Sequence, residues 1–204
     1  MYAELEQRII AKASELFLLH GIKTITMDYL AAEMGISKRT LYEKFTDKET
    51  LLLKTLEYQE TKAGEERARL AGEFTNPLEL NLMEYKSISD SLRRINRNYM
   101  RDLQKYHPQI ADFLAKKREA DMERVVQVME KSIQQGYIRA ELNPRILALL
   151  LRVQLEVLIH SEEIEKNRFS YTDVFETIVL NYARGIATPK GLKQIEEFVE
   201  KMNH

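Results

Sequence analysis

Two short helical patterns, one ending and one beginning at Gly35-Ile36-Ser37, leave this chain few ways to fold. Met27, Leu30, Ala31 and Met34 fall at i, i+3, i+4 and i+7, one face of a helix. Thr26 precedes that face as an N-cap whose hydroxyl can take an orphan amide. Gly35 follows it, where a left-handed residue closes a helix at little steric cost. Ser37 then caps a second helix, Lys38 to Phe45, with Leu41 and Phe45 inward. Lys38, Arg39, Thr40, Tyr42 and Lys44 are left to face outward or to line the margins. Helix, Gly-containing turn and short polar helix make a helix-turn-helix. The same outline also arises as plain packing in all-helical proteins, so spacing alone leaves DNA binding open.

In such a motif the second helix is the reader, and its N-terminal residues meet base edges in the major groove. Arg39 is long, always charged and forked, so it suits guanine O6/N7 or a phosphate. Lys38, Arg39 and Tyr42 are the candidates for base or groove contacts. Thr26, Thr40, Lys44 and Lys48 suit phosphates, Lys48 from the first turn of a helix capped by Asp47.

The stretch Gly35 to Leu51, GISKRTLYEKFTDKETL, closely resembles the TetR family of transcriptional regulators. Its placement one helix in from the N-terminus, after Gly21 and Thr26, is similar too. Thr40-Leu41-Tyr42, Phe45 and Lys48-Glu49 match the family motif position by position. A Gly is common in that family where Arg39 stands, so Arg39 is expected to add a contact of its own. The resemblance covers roughly the first fifty residues, and beyond them it rests on helical layout. It implies a homodimeric one-component regulator, most often a repressor released by a small molecule. Its partners would be a double-stranded DNA operator, a second copy of the chain and a small-molecule effector.

At 204 residues, 44% of them apolar, the chain can bury a sizeable core. Only 7 Gly and 4 Pro favour long helices over a turn-rich β fold. With no Cys there is neither a disulfide scaffold nor a thiolate metal site, which suits a reducing cytoplasm. No apolar run approaches the ~20 residues that span a bilayer, and the acidic start MYAELEQRII does not read as a signal peptide. A net charge of −1 argues against binding nucleic acid by bulk electrostatics. Lys38 to Lys48 carries four bases against two acids, so affinity has to come from placed contacts in a dimer.

Before the motif, Leu5, Ile9, Ala13, Leu16 and Phe17 stripe a first helix that Gly21 ends. After it, a helix from Asp47 runs toward Arg69 as the covalent path to the rest and a candidate lever. Asn76-Pro77 restarts a helix expected to continue to about Tyr106, and another follows from Pro108 to Gln135. Asn143-Pro144 opens the most apolar helix, Ile146 to Ile159, which must be buried on two sides. Helices over Tyr171–Ile186 and Lys190–Met202 complete an all-α chain of about nine or ten. The expected division is a helix-turn-helix domain over 1–48 and a larger helical domain for effector binding and dimerisation over 49–204.

Within the larger domain, Tyr85, Tyr99, Met100, Phe113, Met122 and Met129 combine flexible thioethers with phenols and rings. They are the expected lining of an apolar effector pocket, with Tyr99, Gln154 or Arg152 as polar handles. A twofold dimer interface is expected from Leu151, Leu155, Leu158, Phe175, Ile178, Val179 and Tyr182. No phosphate loop, nucleophile elbow or paired acid-and-His motif stands out, so no catalytic residue, metal or cofactor is assigned. A helical-bundle enzyme and an adaptor that keeps the fold without reading DNA remain the alternatives. Specific retardation of the chain's own promoter DNA would separate them.

Overall fold

The computed structural model describes residues 2–202, apart from 107 and 161. The chain is all-α: α1 (Tyr2–His20), α2 (Met27–Glu33), α3 (Lys38–Lys44), α4 (Lys48–Glu73), α5 (Pro77–Leu92) and α6 (Arg97–Tyr106) lead. Then come α7 (Pro108–Gln134), α8 (Pro144–His160), α9 (Glu162–Lys166), α10 (Tyr171–Ile186) and α11 (Pro189–Met202). Among the described residues no strand forms, and one isolated bridge pairs Ile138 with Ala187. No described helix is long and apolar enough to cross a membrane.

Two compact units make up the chain, residues 1–68 with 94–113, and residues 69–93 with 114–204. The first therefore takes in most of α4 and all of α6, whereas the sequence suggested a boundary near 48. Ile9, Ala13, Leu16 and Phe17 of α1 share its core with Leu30, Leu41, Phe45, Leu51 and Leu52. α6 joins them through Tyr99 and Leu103.

The single helix expected from Leu78 to Tyr106 is two helices, and Asn96 explains the break. Its backbone N–H donates to Leu18 O at 2.7 Å and its side-chain amide to Leu19 O at 3.0 Å. Its Oδ1 accepts the N–H of Asn98 at 2.9 Å, which starts α6 afresh. Asp102, also buried, accepts Lys23 N–H at 2.8 Å. Gly21 has to be glycine twice over: its φ is +85°, and a Cβ there would stand 2.9 Å from Asn98 Cβ.

In the second unit, Val126, Met129, Ile138, Leu147 and Ala148 form one core cluster and Leu78, Leu82 and Ile195 another. The α7–α8 connection is tied to the end of α10 by Arg139 N–H to Ile186 O and Thr188 N–H to Tyr137 O. α11 packs so closely behind that turn that a Cβ on Gly191 would lie 2.2 Å from Tyr137 O. The five-residue α9 was not foreseen from sequence.

Candidate nucleic-acid interface and interior cavity

The turn between α2 and α3 is built from local hydrogen bonds. Thr26 Oγ1 accepts Tyr29 N–H at 3.1 Å and starts α2. Gly35 N–H donates to Ala32 O and Ile36 N–H to Ala31 O, closing α2 with Gly35 at φ +64°. That pair of bonds is a Schellman ending, which needs a left-handed residue where Gly35 stands. Ser37 Oγ then accepts Thr40 N–H at 3.0 Å, and the Ser37 and Thr40 hydroxyls lie 2.8 Å apart. Leu41 and Phe45, both buried, anchor α3 from below.

Anchored in this way, α3 turns a polar face outward. Arg39 is 88% exposed, its Nε donating to Glu43 Oε1 at 2.9 Å. Such a surface pair is weak in water and easily exchanged for a phosphate or a guanine edge. Tyr42 is 47% exposed. Lys38 differs from expectation in being ion-paired with Asp28 of α2. Lys44 is largely covered, with its Nζ 3.9 Å from Glu6. Lys48 Nζ lies 5.8 Å from the centre of the Phe17 ring. Burial, partly offset by Asp102, pulls its ammonium below the usual lysine value. Thr26 spends its oxygen on capping α2, and the Thr40 hydroxyl shares a hydrogen bond with that of the α3 cap, Ser37. Asp47 caps α4 by accepting Thr50 N–H at 2.7 Å, and that bond holds its carboxyl below the usual range.

The seven residues singled out from sequence thus divide. Arg39 and Tyr42 stand clear, Thr26 and Thr40 frame the helix starts, and three lysines are partly engaged. Tyr29 was missed: it is 44% exposed on α2. Its position off the 27-30-31-34 stripe was the signal that could have found it.

In the second unit a cavity of about 220 Å³ lies among α5, α7, α8 and α10. Tyr85 and Met129 are among its lining residues. Tyr85 stacks on Phe175 with centroids 5.6 Å apart, and burial pushes its phenol up to about 12. The other expected lining residues lie elsewhere. Met122 packs on the Val126 cluster, Gln154 is exposed, and Arg152 is bonded to Glu156 at 2.7 Å. Tyr99 and Phe113 belong to the first unit, and the side chain of Met100 is outside the described residues.

Five of the residues expected at a dimer interface, Leu151, Leu155, Phe175, Val179 and Tyr182, line this cavity instead. Tyr182 also donates its hydroxyl to Leu147 O at 2.5 Å. Leu158 and Ile178 are half-buried. The large apolar residues that α8 leaves uncovered are Ile146, Leu149, Leu150, Val153 and Val157, each 41–55% exposed. A helix apolar on nearly every side does not announce which stripe turns toward its own subunit.

A helix-turn-helix whose second helix carries an exposed arginine and tyrosine, in an all-helical chain, defines a DNA-binding regulator. Residues 9–55 match the family described as bacterial regulatory proteins, tetR family. Over that stretch, which holds α2 and α3, the chain is similar to the DNA-binding part of that family. It is 27% identical over 176 residues to an uncharacterized HTH-type transcriptional regulator, YvaF, from Bacillus subtilis (strain 168), covering 86% of this chain and 92% of that one. A TetR-family regulator from Marinobacter aquaeolei VT8 shares the fold with a TM-score of 0.73 at 18% identity, over 96% of this chain and 97% of that one. So does a transcriptional regulator from Saccharomonospora viridis in complex with choline, with a TM-score of 0.66 at 16% identity, over 91% and 99%.

Proposed function

We propose that the chain is a homodimeric repressor, held on its operator through α3 and released when a small molecule fills the cavity of the second unit. The posture of Arg39 and Tyr42 carries the reading: buried Leu41 and Phe45 fix α3 and leave Tyr42 and the weakly paired Arg39 turned outward to meet a groove. Ligand-relieved repression is the usual role in this family, and the choline complex of the Saccharomonospora regulator supports a small-molecule effector here. Dimerisation is supported by the exposed stripe on α8, which a second copy would cover about a twofold axis. A ligand acts as inducer only if it binds better to the form that releases DNA. A role on the chromosome goes with a cytoplasmic location.

Purified protein should retard DNA from upstream of its own coding region at salt concentrations where a scrambled duplex stays free. Equal retardation of the two duplexes would leave α3 without a reading role.

A further inference from the structure

Polar side chains border the cavity of the second unit, yet their hydrogen-bonding capacity is spent elsewhere in the protein. Glu84 and Arg124 hold each other, with Nη1 donating to Oε2 at 2.6 Å. Asn81 donates its amide to Pro77 O at 2.9 Å. The Tyr137 hydroxyl accepts from Asn76 at 2.9 Å, and that of Tyr182 donates to Leu147 O. Ser132 Oγ and Arg124 Nε make no hydrogen bond, but both are sealed in the packing and present almost no surface to a ligand. Tyr85 presents a ring, stacked on Phe175 and edge-on to Phe198. Its phenol feels Glu176, Arg93 and Arg184, none of which borders the cavity. What remains to meet a ligand is hydrocarbon, with Leu82, Val125, Val128, Leu155 and Val179 in the wall.

We infer that the cavity takes a neutral, hydrocarbon-like molecule of about nine carbon atoms, held by shape and without a hydrogen bond to the protein. This rests on the effector role proposed for the same cavity. Size follows from volume: an apolar cavity of ~150 Å³ holds benzene, and this one is about 220 Å³. The lack of polar groups follows from the wall. An oxygen or nitrogen on the ligand would leave water for a surface that offers it no partner, which is unfavourable. A charge would fare worse. An anion could reach Arg124 only by taking it from Glu84, whose side chain is 13% exposed, and would strand that carboxylate. A cation on Glu84 would strand Arg124 in the same way. The Tyr85 and Phe175 rings stack on each other at 15° and form no open cage for an ammonium. Met129 adds a flexible stretch of wall that can follow the contour of an apolar guest.

Calorimetry on the purified full chain at neutral pH tests this with isopropylbenzene, acetophenone, benzoate and benzylamine. Acetophenone has nearly the shape of isopropylbenzene but carries a carbonyl. Isopropylbenzene should bind at least about tenfold tighter than acetophenone and than both charged probes. Val128→Phe, which fills part of the cavity, should weaken isopropylbenzene by about tenfold. Leu155→Ala, which enlarges the cavity, should shift preference toward the larger 1-methylnaphthalene by about threefold or more. Acetophenone or a charged probe that matches isopropylbenzene overturns the inference. So does a wild-type protein that does not bind isopropylbenzene, or a folded Val128→Phe protein with unchanged affinity for it. Should that variant fail to fold, an unchanged preference between the two hydrocarbons in Leu155→Ala overturns the inference instead. DNA retention is read separately. A hydrocarbon that binds without releasing DNA upholds the ligand class and removes the effector role. Release by acetophenone or a charged probe alone keeps the effector role and removes the ligand class.

Discussion

Tyr99 donates its hydroxyl to Gln59 Oε1 at 3.2 Å, and Gln59 in turn donates its amide to Ser14 Oγ at 3.0 Å. Three helices of the first unit, α6, α4 and α1, are thereby joined by one chain of polar groups. Tyr99→Phe keeps the ring and leaves the Gln59 carbonyl oxygen without this donor. The expected cost is about 1 kcal/mol, read as a lower urea midpoint for the first unit.

The same phenol sets an alkaline limit. Burial raises Tyr99 to about 12, opposed by its bond to Gln59, and burial raises Tyr85 and Tyr182 to about 12 as well. An unfolded tyrosine ionises near 10. A raised folded value means that the stabilisation is complete below about pH 10 and is lost as pH climbs through about 12. Thermal midpoints should hold to about pH 10 and then fall, and the fall should be shallower in Tyr99→Phe. A flat profile to pH 12 would contradict this burial.

Arg39→Ala should weaken binding to the specific site by ~1–3 kcal/mol and relax the preference at the base it contacts. Glu43→Ala frees the Arg39 guanidinium and should leave specific affinity equal or higher. Anisotropy on matched and scrambled duplexes measures the difference. Equal losses on the two duplexes would assign Arg39 to phosphate only.

Leu150→Glu places a charge in the exposed stripe of α8 and should turn a dimer into monomers at micromolar concentration, as light scattering reports. Leu155→Ala, which opens the cavity wall, should leave the dimer intact. The opposite pattern would return the interface to the residues suggested by sequence.

What the sequence revealed follows the range of the interactions involved. Thr26, Gly35 and Ser37 act on residues three to four positions away or closer, so the reading motif was legible with its boundaries. Asn96 breaks the predicted Leu78–Tyr106 helix by bonding to Leu19, 77 residues earlier, a contact no local pattern signals. The apolar run of α8 is interrupted only by Arg152, Gln154 and Glu156, so its pattern does not say which residues line the cavity and which stay exposed. Tyr99 looked like a pocket aromatic because burial and a hydroxyl suit a ligand and a Gln59 partner equally well. Ser132 attracted no notice, since a missing hydrogen bond leaves no mark in a sequence.

Footprinting the purified protein on its own upstream DNA tests the central claim most directly. The account predicts two protected half-sites on one face of the duplex, one helical turn (~34–36 Å) or a small multiple apart, both lost in Arg39→Ala. Protection spread evenly along the fragment, or none at salt concentrations where the protein remains a folded dimer, would contradict it.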